Sequence, residues 1–171
     1  VPATTTTSND DRVSPQIGAV YRMTDDFSLY ASYGEGFRQQ TGSDFQGNQF
    51  DPNPTESAEF GLKWDVSNVL GDGSGIVTLA IFDIDQSNIL VNDDRPEATA
   101  AGFFSRSAGE ANSQGFEVDA NIATNDGWNI WFSYAYTDAV FTNSNPDADF
   151  GGLIEAGDQL INSPENQLNA Q

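Results

Sequence analysis

The chain has 171 residues, 26 of them Asp or Glu and 6 Lys or Arg, for a formal net charge of −20. So acidic a balance argues against nucleic-acid binding, which needs clustered Lys and Arg, and the complete absence of Cys and His excludes a disulfide framework, a Cys/His zinc site, a thiol nucleophile and a Ser-His-Asp triad. No apolar run approaches the roughly 18 residues of a spanning helix, which rules out a helical membrane protein but not a barrel, whose strands of about 10 alternating residues hardly move the mean hydropathy.

Val1 to Asp11 has neither the basic start nor the apolar stretch of a signal peptide. A chain that begins with Val and stops in a polar stretch at Gln171 is read as a piece of a longer protein.

Period-2 alternation then marks the strands in chain order. Over residues 13–22, Ile17, Ala19 and Tyr21 oppose Gln16, Gly18 and Arg22; over 27–37, Phe27, Leu29, Ala31 and Tyr33 oppose Ser28, Tyr30, Ser32 and Gly34. The clearest case is 55–67, where Ala58, Phe60, Leu62, Trp64 and Val66 lie opposite Ser57, Glu59, Gly61, Lys63 and Asp65. Over 76–91 the first half does not separate by face. Charge is costly against lipid, so Asp83 and Asp85 are expected inward and Phe82 and Ile84 outward. Phe116, Val118, Ala120 and Ile122 pattern 114–124, and Trp128, Ile130, Phe132, Tyr134 and Tyr136 pattern 128–140, with the hairpin signal Asn125-Asp126-Gly127 between them. The fold class expected is all-β, an antiparallel up-and-down meander of about six strands forming a partial segment of a large transmembrane β-barrel.

Connections alternate in length. Short turns fall at Met23 to Asp26, at the Gly-rich Gly71 to Gly75 and at Asn125 to Gly127; long loops span 38–54, 92–104 and 142–164. Outer-membrane barrels sort their loops this way, with the short set periplasmic. Aromatic residues at strand ends fit interfacial girdles: Tyr21, Phe27, Trp64 and Trp128 stand beside the short turns, and Phe37, Tyr134 and Tyr136 near the opposite ends. A soluble β-sandwich is the alternative, with the same aromatics used as core.

Several segments resemble one family, the TonB-dependent outer-membrane siderophore receptors of the ferrichrome and pyoverdine type, in their C-terminal barrel. Val13-Ser14-Pro15-Gln16-Ile17-Gly18-Ala19-Val20-Tyr21 is similar to the family's SPRIGAVY strand, and Phe27 to Phe37 to its LSLYASYSRGF strand. Pro54 to Trp64 resembles ET-x-x-x-ELGVKW, Leu79 to Leu90 resembles ALFDI-x-x-x-NVL, and Gly109-Glu110 with Ser113 to Asp119 resembles GE-x-x-SRGFELD. Trp128 to Ala139 resembles the strand that follows, and order and spacing agree from Val13 to Ala139. Two departures stand out: Gln114 where the family has Arg or Lys, and Pro164-Glu165-Asn166 in place of P-x-H.

The resemblance implies a receptor in the outer membrane of a Gram-negative bacterium that binds a ferric siderophore as transported ligand and imports it when the TonB complex rearranges a plug domain. The chain has no directly bound cofactor and no enzymatic role on this reading, and its plug is expected to lie outside these residues. Barrels of this kind have about 22 strands, so six strands are roughly a quarter of a wall. A free piece should pair or aggregate at its edges, expected at Val13 to Arg22 and Trp128 to Val140.

Ligand contacts belong to the long loops. The candidates are Arg38, Phe45 and Phe50 in the first, Phe103, Phe104 and Arg106 around the second, and Phe141 and Phe150 in the third. Rings would pack on apolar parts of the ligand and Arg would attract an anionic chelate, against the plainer reading that the Phe residues pack loop on loop. The acidic surface repels an anionic ferric catecholate and favours a neutral or cationic hydroxamate. Inward residues Glu59, Lys63, Asp65, Glu117, Asp119 and Asn129 are expected to be hydrated or to meet the plug.

Acidic clusters at Asn9-Asp10-Asp11, Asn92-Asp93-Asp94 and Asp147 with Asp149 suggest calcium but lack EF-hand spacing. Glu59 with Asp65, or Asp83 with Asp85, as glycosidase pairs have nothing to place a substrate between them. The alternatives to a receptor are another outer-membrane barrel, such as a porin or adhesin, and a soluble secreted acidic β-domain with calcium sites.

Overall fold

A computed structural model of the chain describes residues 13–146 and 152–171. Its strands are β1 (Gln16–Arg22), β2 (Phe27–Arg38), β3 (Asn53–Asp65), β4 (Ser74–Asn92), β5 (Ser105–Ala123), β6 (Asn129–Phe141), β7 (Asn145–Pro146), β8 (Leu153–Ile154) and β9 (Asn166–Ala170), with one short helix, α1 (Pro96–Ala101), between β4 and β5. Seven strands form one sheet in the order β1-β2-β3-β4-β5-β6-β9, and β7 and β8 make a separate small hairpin. Every neighbouring pair is antiparallel. The architecture is a nearly all-β meander that does not close on itself.

Turn chemistry sets the reversals at the short-turn end. The Thr24 hydroxyl accepts hydrogen bonds from the amides of Asp26 (3.2 Å) and Phe27 (3.1 Å), tying the β1–β2 turn to its own side chain. Between β5 and β6, Gly127 takes φ 87° while its amide donates to the Thr124 carbonyl at 3.1 Å, a conformation that favours glycine.

The register fixes the faces. One continuous row joins Phe27, Trp64, Val77, Ala120 and Phe132 across five strands; the next joins Tyr21, Leu29, Leu62, Leu79, Val118, Tyr134 and Leu168; a third joins Ala19, Ala31, Phe60, Ile81, Phe116 and Tyr136. The opposite face carries Ser28, Lys63, Thr78, Asp119 and Ser133 in one row, and Ser32, Glu59, Phe82, Gly115 and Thr137 in another. One row lower on the same face, the Val66 amide donates to the Gly75 carbonyl at 2.9 Å, and Gly75 stands opposite Ile122, which pairs with Ile130.

Four expectations are corrected. Asp83 pairs with Ala58 and Gln114, and Asp85 with Glu56 and Asn112, so both carboxylates share the face of Leu79 and Ile81, whereas Phe82 and Ile84 stand on the polar face. The physical reason is strand length. β4 and β5 have 19 residues each, longer than the three apolar rows, and the two aspartates fall beyond the last of those rows. Second, β5 starts at Ser105 instead of 114, because Ser105 to Gly109 continue the ladder against Ile89 to Asn92 past a bulge; its polar, small residues gave no period-2 signal.

Third, a seventh strand, β9, pairs Asn166 to Ala170 with Phe132 to Tyr136. The exposed edges of the sheet are therefore β1 and β9, and the stretch Trp128 to Val140 is covered over part of its length. Fourth, the loop 92–104 contains a helix. Pro96 stands in its first turn, its Ala-rich body favours helix, and Gly102, whose amide donates to the Ala98 carbonyl, ends it.

A single sheet has no central core. Most burial is at the long-loop end, where Phe50, Val91, Ala98, Ala111 and Ala139 are buried with Asn53, Asp93 and Asn145 under connections that fold over the protruding strands; Val66, beside the Gly-rich turn, and Ala80, in mid-sheet, are buried as well.

Candidate functional site

Two surfaces carry functional potential: the apolar face and the long-loop end. On the first, Phe27 and Trp64 stack beside the short turns with ring centroids 5.4 Å apart and planes 11° from parallel. Tyr21 lies one row above, opposite Leu29, and is exposed. Trp128, one residue before β6, is 67% exposed, a large indole left mostly uncovered. Phe116 packs between Tyr134 and Tyr136, each 5.8 Å from its centroid, and the Tyr134 hydroxyl donates to the Asn166 amide oxygen at 2.8 Å.

Sequence reading did not single out Tyr33 as a boundary residue. It follows the apolar rows of β2, and its hydroxyl reaches away from them to donate to Glu35 (3.1 Å) and Glu56 (3.3 Å). A ring on the apolar side with its polar tip on carboxylates is the arrangement expected where hydrocarbon gives way to headgroups. Beyond it the same face turns acidic: the Asn112 amide donates to both Asp83 (2.7 Å) and Asp85 (2.9 Å). An exposed face of Ile17, Phe60, Leu79, Ile81, Phe116 and Ile130 is far larger than a monomeric soluble protein leaves uncovered.

At the long-loop end, the first loop returns on itself. The Asp44 carboxylate accepts from the amides of Gln46 (2.9 Å) and Asn48 (2.8 Å) and from the Asn48 side chain (3.0 Å), which holds its pKa below the usual carboxylate range, the Asn48 side chain contributing most. A Ser43–Gln49 bridge closes the hairpin. Its base is fastened to the bulge of β4 by reciprocal bonds: the Asn53 side chain donates to the Ser87 carbonyl at 2.5 Å, and the Asn88 side chain to the Pro52 carbonyl at 3.0 Å. Asn88 adopts φ 56° to do so, a left-handed conformation that Asn tolerates better than most residues. The Gln40 side-chain amide donates to the carbonyls of Asp51 and Asn88, at 2.6 and 2.7 Å.

In the second loop, Arg95 and Asp93 form a two-pronged ion pair, Nε to Oδ1 at 2.7 Å and NH2 to Oδ2 at 2.5 Å, with the Asp93 side chain fully buried. The pairing holds the Asp93 carboxyl below its ordinary pKa and raises that of the guanidinium. Arg95 also lies over the Phe45 ring at 5.1 Å, and Phe45 meets Phe104 edge-on at 6.4 Å. Arg106 donates to the buried Asn145 side chain at 3.2 Å and lies 3.9 Å from Asp94.

These contacts sort the loop residues named from sequence. Phe45 and Phe104 face each other; Phe50 is buried beneath Gly42; Arg106 is occupied by Asn145 and Asp94. Phe141, the last residue of β6, is half-buried. Arg38, which ends β2 opposite Asn53, is exposed, and Phe103 is fully exposed. Phe150, Asp147, Asp149 and Asn9 to Asp11 lie outside the described residues. Sequence reading missed Arg95 as the organiser of the second loop; its spacing of two from Asp93 is a weak signal. The Asp93 carboxylate, considered above as a calcium ligand, is taken by that guanidinium.

A family model described as TonB dependent receptor-like, beta-barrel, matches residues 1–171. The metal-pseudopaline receptor CntO of Pseudomonas aeruginosa is 31% identical over 153 residues, covering 90% of this chain and 19% of the receptor. The ferrichrome outer membrane transporter/phage receptor of Escherichia coli K12 is 33% identical over 141 residues, 82% of this chain and 18% of that protein. Among solved structures, the ferripyoverdine receptor of the Pseudomonas aeruginosa outer membrane bound to ferripyoverdine superposes with a TM-score of 0.70 at 24% identity, over 92% of this chain and 19% of that one; it shares the fold. The chain thus spans about a fifth of the length of the relatives it matches. Members of this family are outer-membrane receptors and transporters, and none of these relatives is named as an enzyme. A one-sided apolar meander with long loops at one end, matched along its whole length, places the chain in the TonB-dependent receptor β-barrel family.

Proposed function

We propose that this chain is a section of the wall of an outer-membrane receptor that takes up ferric siderophores, energised by TonB. The observation that carries the reading is the division of the sheet: three continuous apolar rows on one face, a largely polar opposite face, and long packed loops at one end. The apolar face meets outer-membrane lipid, with Tyr21, Phe27, Trp64 and Trp128 as the girdle on the short-turn side and Tyr134 and Tyr136 toward the other interface. Work on the plug, and through it the TonB complex, belongs to residues beyond this section.

The ligand is a metal chelate. Relatives are named for ferrichrome, ferrioxamine B and ferripyoverdine, and one for a metal-pseudopaline complex, so the shared chemistry is a metal ion wrapped by a small organic chelator. Among the loop residues named from sequence, Arg38 and Phe103 have the exposure a ligand contact needs; Phe45, Phe50, Phe104 and Arg106 are engaged in loop packing. The acidic character of the chain favours a neutral or cationic chelate over an anionic one.

The test is uptake of radiolabelled iron by cells carrying the whole receptor gene or its deletion, in an iron-limited medium, with hydroxamate and catecholate siderophores supplied separately. Loss of uptake for at least one chelate in the deletion strain, with recovery on complementation and none when the proton gradient is collapsed, is the expected result. Uptake equal in both strains for every chelate, or a receptor recovered in the soluble fraction, would sink the proposal.

A further inference from the structure

We infer that Arg95 is a latch that holds the tip of the first long loop onto the second, so that the two loops move as one body.

The first loop has two separate attachments of different strength. At its base, the Asn53–Ser87 and Asn88–Pro52 bonds and the Gln40 side chain fasten it to the β4 bulge, and the buried Phe50 ring fills the space beneath Gly42. At its tip, the hairpin of Asp44 to Asn48 is internally bonded and meets the second loop through Phe45, with Arg95 over its ring and Phe104 at its edge, and through the attraction of the Asp44 carboxylate for the same guanidinium. The base is therefore a fixed anchor and the tip a releasable one.

Arg95 suits the latch because it faces two ways. Its Nε and NH2 are committed to Asp93, whose carboxylate is buried, while its central carbon stands over the Phe45 ring at 5.1 Å. Asp93 is in turn pinned by the backbone, its amide donating to the Phe104 carbonyl at 2.9 Å. The ion pair thus orients the cation against the ring and couples the tip to the residue that packs on its edge. Lys offers a point charge without the planar fork and cannot keep both contacts. While the latch is shut, Phe45 and Phe104 are used up in it and Phe103 is the ring presented outward, 102% exposed. Release would add Phe45, Phe104 and the face of Arg95 to the accessible surface.

The inference rests on loop geometry and stands apart from the identity of the ligand. It is tested on the full-length receptor in detergent or lipid, with spin labels on the exposed positions Gln46 and Glu97 and with hydrogen exchange read at Gly47 and Asn48. The expected result is one narrow label-to-label distance in the parent, a broad or longer one in Arg95→Ala and Arg95→Lys, and exchange at the tip roughly tenfold faster, with amides at Leu62 and Leu79 unchanged. An unaltered distance and unaltered tip exchange in Arg95→Ala overturns the latch. Should Arg95→Ala also loosen the strand amides, Phe45→Leu combined with Asp44→Asn decides, since the pair removes both links from the tip to the guanidinium, keeps apolar bulk and an acceptor oxygen at those positions, and leaves Asp93 paired: a freed tip supports the latch and a fixed tip overturns it.

Discussion

The Tyr30 ring lies directly over Gly61, its cross-strand partner on the polar face: a Cβ built on Gly61 would stand 2.3 Å from Tyr30 Cε1 and 2.4 Å from Cζ. The amino group of Lys63 lies over the same ring at 5.3 Å. Phe82 repeats the relationship two strands away, where its Cζ would be 2.8 Å from a Cβ on Gly115. In each pair the aromatic ring covers backbone that a glycine leaves bare, a device that steadies glycine within a strand. Its presence on β2–β3 and β4–β5 explains why a strand-disfavouring residue sits in the middle of both ladders.

The two glycines differ in what an added methyl would strike. Gly61→Ala meets the end of a side chain that can swing toward the lumen, and a cost of about 1 kcal/mol follows from displacing the ring. Gly115→Ala meets the Tyr136 backbone carbonyl at 2.0 Å, which cannot move without opening the β5–β6 ladder. Urea unfolding of the whole receptor in detergent should rank Gly115→Ala well below Gly61→Ala in stability. Equal midpoints would mean that the Tyr136 carbonyl gives way as readily as the Tyr30 ring.

Leu62 and Phe132 stand in the apolar rows. Replacing either by Arg should cost about 2 to 4 kcal/mol near the bilayer midplane, read as a shift in the folding equilibrium of the receptor in lipid vesicles. Asp83→Arg, on the same face beyond the rows, should cost far less. A large penalty at Asp83 and none at Leu62 would put the hydrocarbon band at the wrong height.

Asp93 predicts an acid limit for the second loop. Its carboxyl is held below the usual range first by the hydrogen bonds of Arg95, against the opposing effect of burial, with Arg106 adding a smaller favourable charge. A depressed folded pKa contributes stability that is present above the unfolded carboxylate pKa of about 3.9 and is lost as pH falls through the folded value. Exchange at the Asp93 amide should therefore stay slow down to about pH 4 and accelerate below it, and Asp93→Asn should be fast at every pH. A midpoint near neutrality would exclude Asp93 as the titrating group.

Asn143 joins the third loop to β5. Its side-chain amide donates to the Ala108 carbonyl at 2.8 Å, while its oxygen accepts from the Glu110 amide at 2.9 Å and the Asn145 side chain at 2.7 Å. Asn143→Ala leaves these groups without that partner and should destabilise the loop by about 1 to 3 kcal/mol. Proteolysis of the receptor should cut faster after the substitution between β6 and β8. Unchanged cleavage would show that water replaces the side chain.

Much of the wall was legible in the sequence because a strand has a period of exactly two residues per repeat of face, so Ala58, Phe60, Leu62 and Trp64 declare their common side without knowledge of any neighbour. The short turns were legible for a similar reason: Gly127 and Thr24 act within a few residues of themselves. Tertiary structure alone decided where each strand stood in height against its partners. Asp83 reads as inward when lipid is assumed along the whole of β4, and only the pairing with Ala58 and Gln114 lifts it clear of the band. The same holds for Arg95, Phe45 and Phe104, and for Asn53 with Ser87: residues separated by tens of positions meet because antiparallel strands bring the loops together at one end, and no local periodicity encodes contacts made between loops.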